Sequence, residues 1–169
     1  MTVTNATFTI ERMLNASPAR VFAAYATLEA KSAWFKAPSD IETLNRDFDF
    51  RVGGKERFHA RWPSGMITDF QAVYHDIVEN ERIILVYDMF LNGDKLSVSL
   101  VTLEFRAEGD RTRLIHTEQG CYLTGGDEAV KGREHGTTWH IDNLVAVIEG
   151  REGRNMTFYG SGPLTLEQS

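Results

Sequence analysis

Leu114, His116 and Glu118 alternate along a strand-like run from Thr112 to Cys121. Their side chains therefore point the same way, with the histidine and the glutamate about 7 Å apart along the backbone. An imidazole and a carboxylate facing an apolar cleft need partners. A buried carboxylate without one is costly and titrates upward, while a neighbouring carboxylate favours the charged imidazole. Such a pair can hold a polar ligand group, or it can move protons as general acid and base, which makes His116 and Glu118 the candidate catalytic residues. The plain alternative is structural: the two lie near an open rim, or bond each other, Tyr74 or Trp139, and tile a cavity wall.

Other chemistries lack their parts. The histidines His59, His75, His116, His135 and His140 form no HExxH and have no adjacent cysteine partner, so no metal site is expected. The chain has no GxSxG elbow, P-loop or GxGxxG, which removes the triad hydrolases and nucleotide enzymes; no cofactor is expected. Arg57, His59 and Arg61 form a basic cluster, but with acidic residues nearby they read as a solvated outer face. The aromatic set Phe48, Phe50, Phe58, Trp62, Phe70, Tyr74 and Tyr87, with Leu103 and Trp139, could line a ligand cavity together with His116 and Glu118. Strands of this period also need such residues simply to pack against a helix.

Composition narrows the partners. With 24 acidic against 18 basic residues the net charge is −6, and the pI is about 5.4. That gives no electrostatic footprint for nucleic acid or an anionic membrane. The one cysteine, Cys121, cannot close an intramolecular disulfide. No basic n-region precedes an apolar core, and no apolar run approaches a membrane span. We read a cytoplasmic protein. A hydrophobic content of 42 % with 10 Phe, 5 Tyr and 3 Trp describes a packed chain, and 169 residues suit one domain.

The elements that position these residues follow from periodicity. Thr7–Leu14 alternates as a half-buried strand. Ser17-Pro18 then caps a helix carrying Val21, Phe22 and Tyr25 at helical spacing, and a short second helix covers Glu29–Phe35. Residues 41–121 are almost all period-two pattern. Asp47–Val52 puts Phe48, Phe50 and Val52 on one face, Gly53-Gly54 turns or bulges, and Arg57–Trp62 faces Phe58, Ala60 and Trp62 inward. Thr68–Val78 carries Phe70, Ala72 and Tyr74 inward. The strand Arg82–Phe90 is apolar on both faces at Ile83–Tyr87, so its outer side needs a cover, either the early helices or a second copy in a homodimer. Asn92-Gly93 signals a hairpin, Leu96–Phe105 and Thr112–Cys121 pair, and one long amphipathic helix runs Asp127–Glu149 with Ile141, Leu144, Val145 and Ile148 on a stripe. Residues 1–150 form the single domain, and 151–169 a tail expected to be irregular or strand-like.

An antiparallel sheet with one helix laid against it leaves a cleft between the layers. Particular residues sharpen this: Ser17-Pro-Ala-Arg-Val-Phe22, Phe50-Arg-Val-Gly-Gly-Lys-Glu-Arg-Phe58, Ile77 with Glu81-Arg82-Ile83 and Tyr87, Thr112-Arg-Leu114 with His116, and Gly136 with Ile141-Asp-Asn-Leu144. On these motifs the chain, over about residues 7–149, resembles the α+β helix-grip (START-like, SRPBCC) superfamily, and within it the subfamily named for the activator of Hsp90 ATPase. The resemblance implies a curved antiparallel sheet wrapped around a long C-terminal helix, with two short helices after the first strand. It implies a hydrophobic or amphipathic small molecule as partner. Two alternatives stay open: an enzyme resembling the polyketide cyclase/aromatases of the superfamily, using the same cavity, and an Hsp90-related co-chaperone module. Where the family usually has Trp straight after the helix glycine, this chain has Thr137, with Trp139 two places on, which implies a reshaped pocket mouth.

Overall fold

The computed structural model describes residues 2–151. The tail assigned to 151–169 lies, apart from Arg151, outside the described residues. Chain order is β1 (Thr4–Leu14), α1 (Pro18–Ala26), α2 (Leu28–Ser32), β2 (Glu42–Phe48), β3 (Lys55–Arg61), β4 (Ile67–Val78), β5 (Arg82–Leu91), β6 (Asp94–Glu108), β7 (Arg111–Tyr122) and α3 (Gly126–Ile148). The seven strands form one antiparallel sheet in the order β1-β7-β6-β5-β4-β3-β2. This is the helix-grip fold. The first strand returns to pair with the last, with Ile10 opposite His116 and Phe8 opposite Glu118. No helix among the described residues is long and apolar enough to cross a membrane.

Local chemistry sets the two short helices. Pro18 stands at the first turn of α1, and the Ser17 hydroxyl accepts from the Arg20 N–H at 3.3 Å. Thr27 ends α1 in an extended conformation and caps α2 by accepting from the Ala30 N–H at 3.1 Å. The second helix stops at Ser32, short of the expected Phe35, and its end turns Trp34 and Phe35 toward the sheet. Trp34 donates its indole N–H to the Ala24 carbonyl and meets Tyr25 edge-on.

One core lies between the sheet and the helices. Val21, Phe22 and Tyr25 of α1 and Ile141, Leu144, Val145 and Ile148 of α3 pack with Leu85, Val101, Leu103, Phe105 and Leu114 of the strands. The early helices therefore share the inner face with α3. They do not cover the outer side of β5, where Ile84 and Val86 are only partly buried. A second expectation also changes. β2 ends at Phe48, and residues 49–54 form a turn in which Val52 is exposed rather than aligned with Phe48 and Phe50.

That turn needs two glycines for different reasons. Gly53 has φ +80°, a left-handed backbone that favours glycine. Gly54 does not; it is required for space, because a Cβ there would meet the Asp49 carbonyl oxygen at 2.1 Å. Gly54→Val should therefore destabilise the protein by about 1–3 kcal/mol, the usual range for forced overpacking. Thermal unfolding checks this, and an unchanged melting temperature would contradict the assignment.

Candidate functional site

His116 and Glu118 do share the inward face of β7, and their ends meet. The imidazole Nε2 stands 3.2 Å from Glu118 Oε2, and because a carboxylate only accepts, Nε2 carries the proton. Glu118 is 1 % exposed and His116 9 %, so the carboxylate is enclosed rather than at an open rim. Phe8 of the neighbouring β1 lies parallel to the imidazole with ring centroids 6.4 Å apart. The other Glu118 oxygen accepts from the Tyr87 hydroxyl of β5.

The partner that makes this burial tolerable is Arg133 of α3. Its Nη1 lies 3.6 Å from Glu118 Oε1 and donates to the Tyr87 hydroxyl at 2.9 Å, and its Nη2 donates to the Ser97 hydroxyl of β6 at 2.7 Å. The guanidinium sits between the Tyr87 and Tyr122 rings, 5.4 and 5.5 Å from their centroids. Gly120 makes room for that, since a Cβ there would strike the Tyr122 ring at 2.7 Å. Burial pushes the Glu118 carboxyl up, but the hydrogen bond from His116, the Arg133 charge and the Tyr87 hydroxyl outweigh it and hold the group below the usual carboxylate range.

A second charged group stands at the junction of α2 with β2–β4. Lys31 Nζ and Glu56 Oε1 are 2.5 Å apart, the Tyr74 hydroxyl donates to the same oxygen, and Arg46 Nη2 lies 2.9 Å from Glu56 Oε2. Lys31 and Glu56 are 5 % and 1 % exposed. Burial lowers the Lys31 pKa, opposed by Glu56. Burial also raises the Glu56 carboxyl, but Lys31 and Arg46 reverse that and leave it below the ordinary range.

Among the described residues two adjoining, partly open spaces lie on the inner face between the sheet and the helices. The larger, about 110 Å³, lies against Tyr87, Leu103, His116, Glu118 and Arg133 at one side and Tyr25, Lys31 and Trp34 at the other, under Gly136 and Thr137 of α3. The smaller, about 60 Å³, is walled by Phe58, Trp62, Thr68 and Trp139. Phe35, Phe70, Met89 and His140 line both and form the partition. The expectation that His116 shares one cavity with Phe58, Trp62 and Trp139 is thus corrected. Those residues occupy the neighbouring compartment because α2 turns Phe35 into the gap, 5.2 Å from the Phe70 ring and 4.7 Å from His140.

Of the aromatic candidates, Phe58, Trp62, Phe70, Tyr87 and Trp139 line one space or the other. Phe48, Phe50 and Tyr74 line neither: they pack on one another, Phe50 lying 5.2 Å from Tyr74 and 5.8 Å from Phe22. The shifted tryptophan also separates the compartments, with Thr137 on the larger and Trp139 on the smaller. The Arg57, His59 and Arg61 cluster takes the outer face as expected, Arg57 gripping Asp69 through two bonds of 2.7 and 2.9 Å. Sequence reasoning missed Arg133, Lys31, Glu56, Tyr25 and His140. Two signals were present: Arg133 stands two turns ahead of Ile141 on the same stripe, and Glu56 precedes Phe58 by one strand period.

Comparison with known proteins settles the family. The model for "Activator of Hsp90 ATPase homolog 1-like protein" matches residues 15–149. The chain belongs to this family. Its similar solved structures include protein Mll3558 from Rhizobium loti, 38 % identical over 86 % of this chain and 99 % of that one, with a TM-score of 0.80. A Rhizobium leguminosarum protein is 39 % identical over 88 % of this chain and 97 % of its own, with a TM-score of 0.82. An AHSA1-like protein from Aeromonas hydrophila shares the fold at 20 % identity, covering 89 % and 98 % of the two chains with a TM-score of 0.64. No curated protein matches.

In this member of the family the buried charges give a stability prediction. A carboxyl held low contributes stability that is complete above its unfolded pKa and is lost as pH falls through the folded one. Arg133→Met leaves Glu118 buried without the guanidinium, so stability at pH 7 should fall by about 3–5 kcal/mol, and because protonating Glu118 relieves the unpaired charge the deficit against the parent should shrink as pH falls. The double variant Arg133→Met/Glu118→Gln should recover much of that loss. Urea unfolding at pH 7 and pH 4.5 measures both effects, and a single variant as stable as the parent would contradict the pairing.

Proposed function

We propose that this protein binds a hydrophobic or amphipathic small molecule in the larger space between sheet and α3. The observation that supports this reading is the wall itself. Tyr25, Trp34, Phe70, Tyr87, Val101 and Leu103 provide an apolar lining, interrupted by a few placed polar groups, which is how ligand sites combine burial with orientation. Apolar voids of ~150 Å³ take benzene-sized molecules, so a space of this order suits a single ring or a short branched chain. A reducing cytoplasm suits the lone Cys121 thiol.

The His116–Glu118 hydrogen bond favours a second reading, an enzyme of the cyclase kind in which the imidazole moves a proton of the bound molecule. The two differ at His116. In the binding reading His116→Phe keeps the fold and the affinity for an apolar ligand; in the enzyme reading it lowers turnover by about 10²–10⁴ with binding retained.

Titration calorimetry with toluene tests the first reading. One equivalent should bind, and Leu103→Trp, which fills the space, should weaken binding at least tenfold while the protein still unfolds cooperatively. Toluene binding that is absent, or indifferent to Leu103→Trp, would count against it.

A further inference from the structure

Two features at the Lys31 side of the larger space lie beyond what binding of an apolar molecule requires. The first is an imbalance of charge. Lys31 and Arg46 both lie against Glu56, at 2.5 and 2.9 Å, two cations on one carboxylate. Among the described residues the charged side chains acting on Lys31 are these two, and with Lys31 and Arg46 both protonated the cluster carries one net positive charge, against the burial that lowers the Lys31 pKa. Lys31 is the member that reaches the cavity wall. Its ammonium also lies 5.0 Å from the Phe35 ring centroid, a contact that softens but does not cancel the charge.

The second feature is a donor without an acceptor. Tyr25 is 4 % exposed, lines the same space, and its hydroxyl has no hydrogen-bond partner among the described residues. A buried hydroxyl is ordinarily bonded. The far side of the space is different. There Arg133 and Glu118 balance one another, and Tyr87, Ser99 and Ser97 accept from the two Nη groups. The buried Arg133 Nε and the Tyr122 hydroxyl have no partner among the described residues, but neither stands beside a surplus cation. His140, on the partition, adds no charge, because burial and the nearby Lys31 hold its imidazole down at about 4.

We propose, building on the binding reading above, that the ligand is a small monocarboxylic acid whose carboxylate is held by the Lys31 ammonium and the Tyr25 hydroxyl. One carboxylate supplies the missing negative charge and the missing acceptor together. A phosphate dianion would overcompensate the single net charge, and a neutral alcohol would leave it standing. Glu118 repels an acid group at the opposite side, so the body of the molecule lies toward Phe70 and Leu103 with its carboxylate under α2.

Two probes of similar size test this on the full chain: phenylacetate and 2-phenylethanol, by titration calorimetry at pH 7. Phenylacetate should bind at least tenfold more tightly, and Lys31→Met should abolish the preference. Lys31→Met leaves Glu56 with Arg46 as its one cation beside the Tyr74 hydroxyl and can fail to fold, so Tyr25→Phe, which keeps ring and charges, provides the second arm. It should weaken phenylacetate at least threefold with little effect on 2-phenylethanol. Equal affinity of the parent protein for the two probes, or Tyr25→Phe binding phenylacetate as the parent does, would overturn the carboxylate proposal and leave the binding reading standing. Binding of neither probe, nor of toluene, would overturn both.

Discussion

Arg133 is the side chain on which the inner space depends. A guanidinium 3 % exposed has to be neutralised and bonded where it lies. The groups that do so come from three strands: Tyr87 of β5, Ser97 of β6 and Glu118 of β7. One residue of the helix is thereby fixed to the middle of the sheet. The helix cannot settle fully onto the strands at this point, because a charged network stands between them, and the space beside the network stays open. Nearer its C-terminal end α3 carries Leu144, Val145 and Ile148, and there it closes on the sheet as core. The cavity is thus a consequence of polar residues placed on an otherwise apolar stripe.

The Lys31–Glu56–Arg46 group plays the matching part under α2. It ties a five-residue helix, too short to be stable alone, to strands β2 and β3. That fixes Phe35, and Phe35 together with Phe70, Met89 and His140 divides the interior into two spaces. The two charged groups differ in one respect that bears on function. The Arg133 side is closed in charge and largely in hydrogen bonding; the Lys31 side carries a surplus cation beside an unbonded Tyr25 hydroxyl. A site polarised in this way orients an amphipathic molecule as well as holding it.

Most of the fold was legible from period alone. Strands β3 to β7 and α3 fall close to where alternation and helical spacing put them, and the Ser17-Pro18 cap marks α1 correctly. The pair His116 and Glu118 was legible for the same reason, since two residues apart on a strand means one face. Their charged partners were not, because a lysine, arginine or glutamate in sequence is read as solvent-facing unless its position is weighed above its type. Arg133 and Glu56 each occupy an inward position on their element, and the stripe said so. Lys31 gave no such signal, because α2 is too short to show a period. Nor does alternation tell which strand residues border a void and which pack solidly, so Phe48, Phe50 and Tyr74 looked equivalent to Phe70 and Tyr87. The split into two spaces arises from the entry of Phe35, a loop-side residue that no strand pattern describes.

The central claim is that the space between the sheet and α3 is where a small molecule sits. Backbone ¹H–¹⁵N spectra recorded during titration with 2-phenylethanol test it most directly, because they locate binding residue by residue whatever the natural ligand is. Shifts should concentrate at Tyr25, Phe70, Tyr87, Leu103, His116 and Gly136, with Val73, Val86 and Leu100 of the outer sheet face unmoved. Shifts confined to that outer face, or none at saturating probe, would contradict the account.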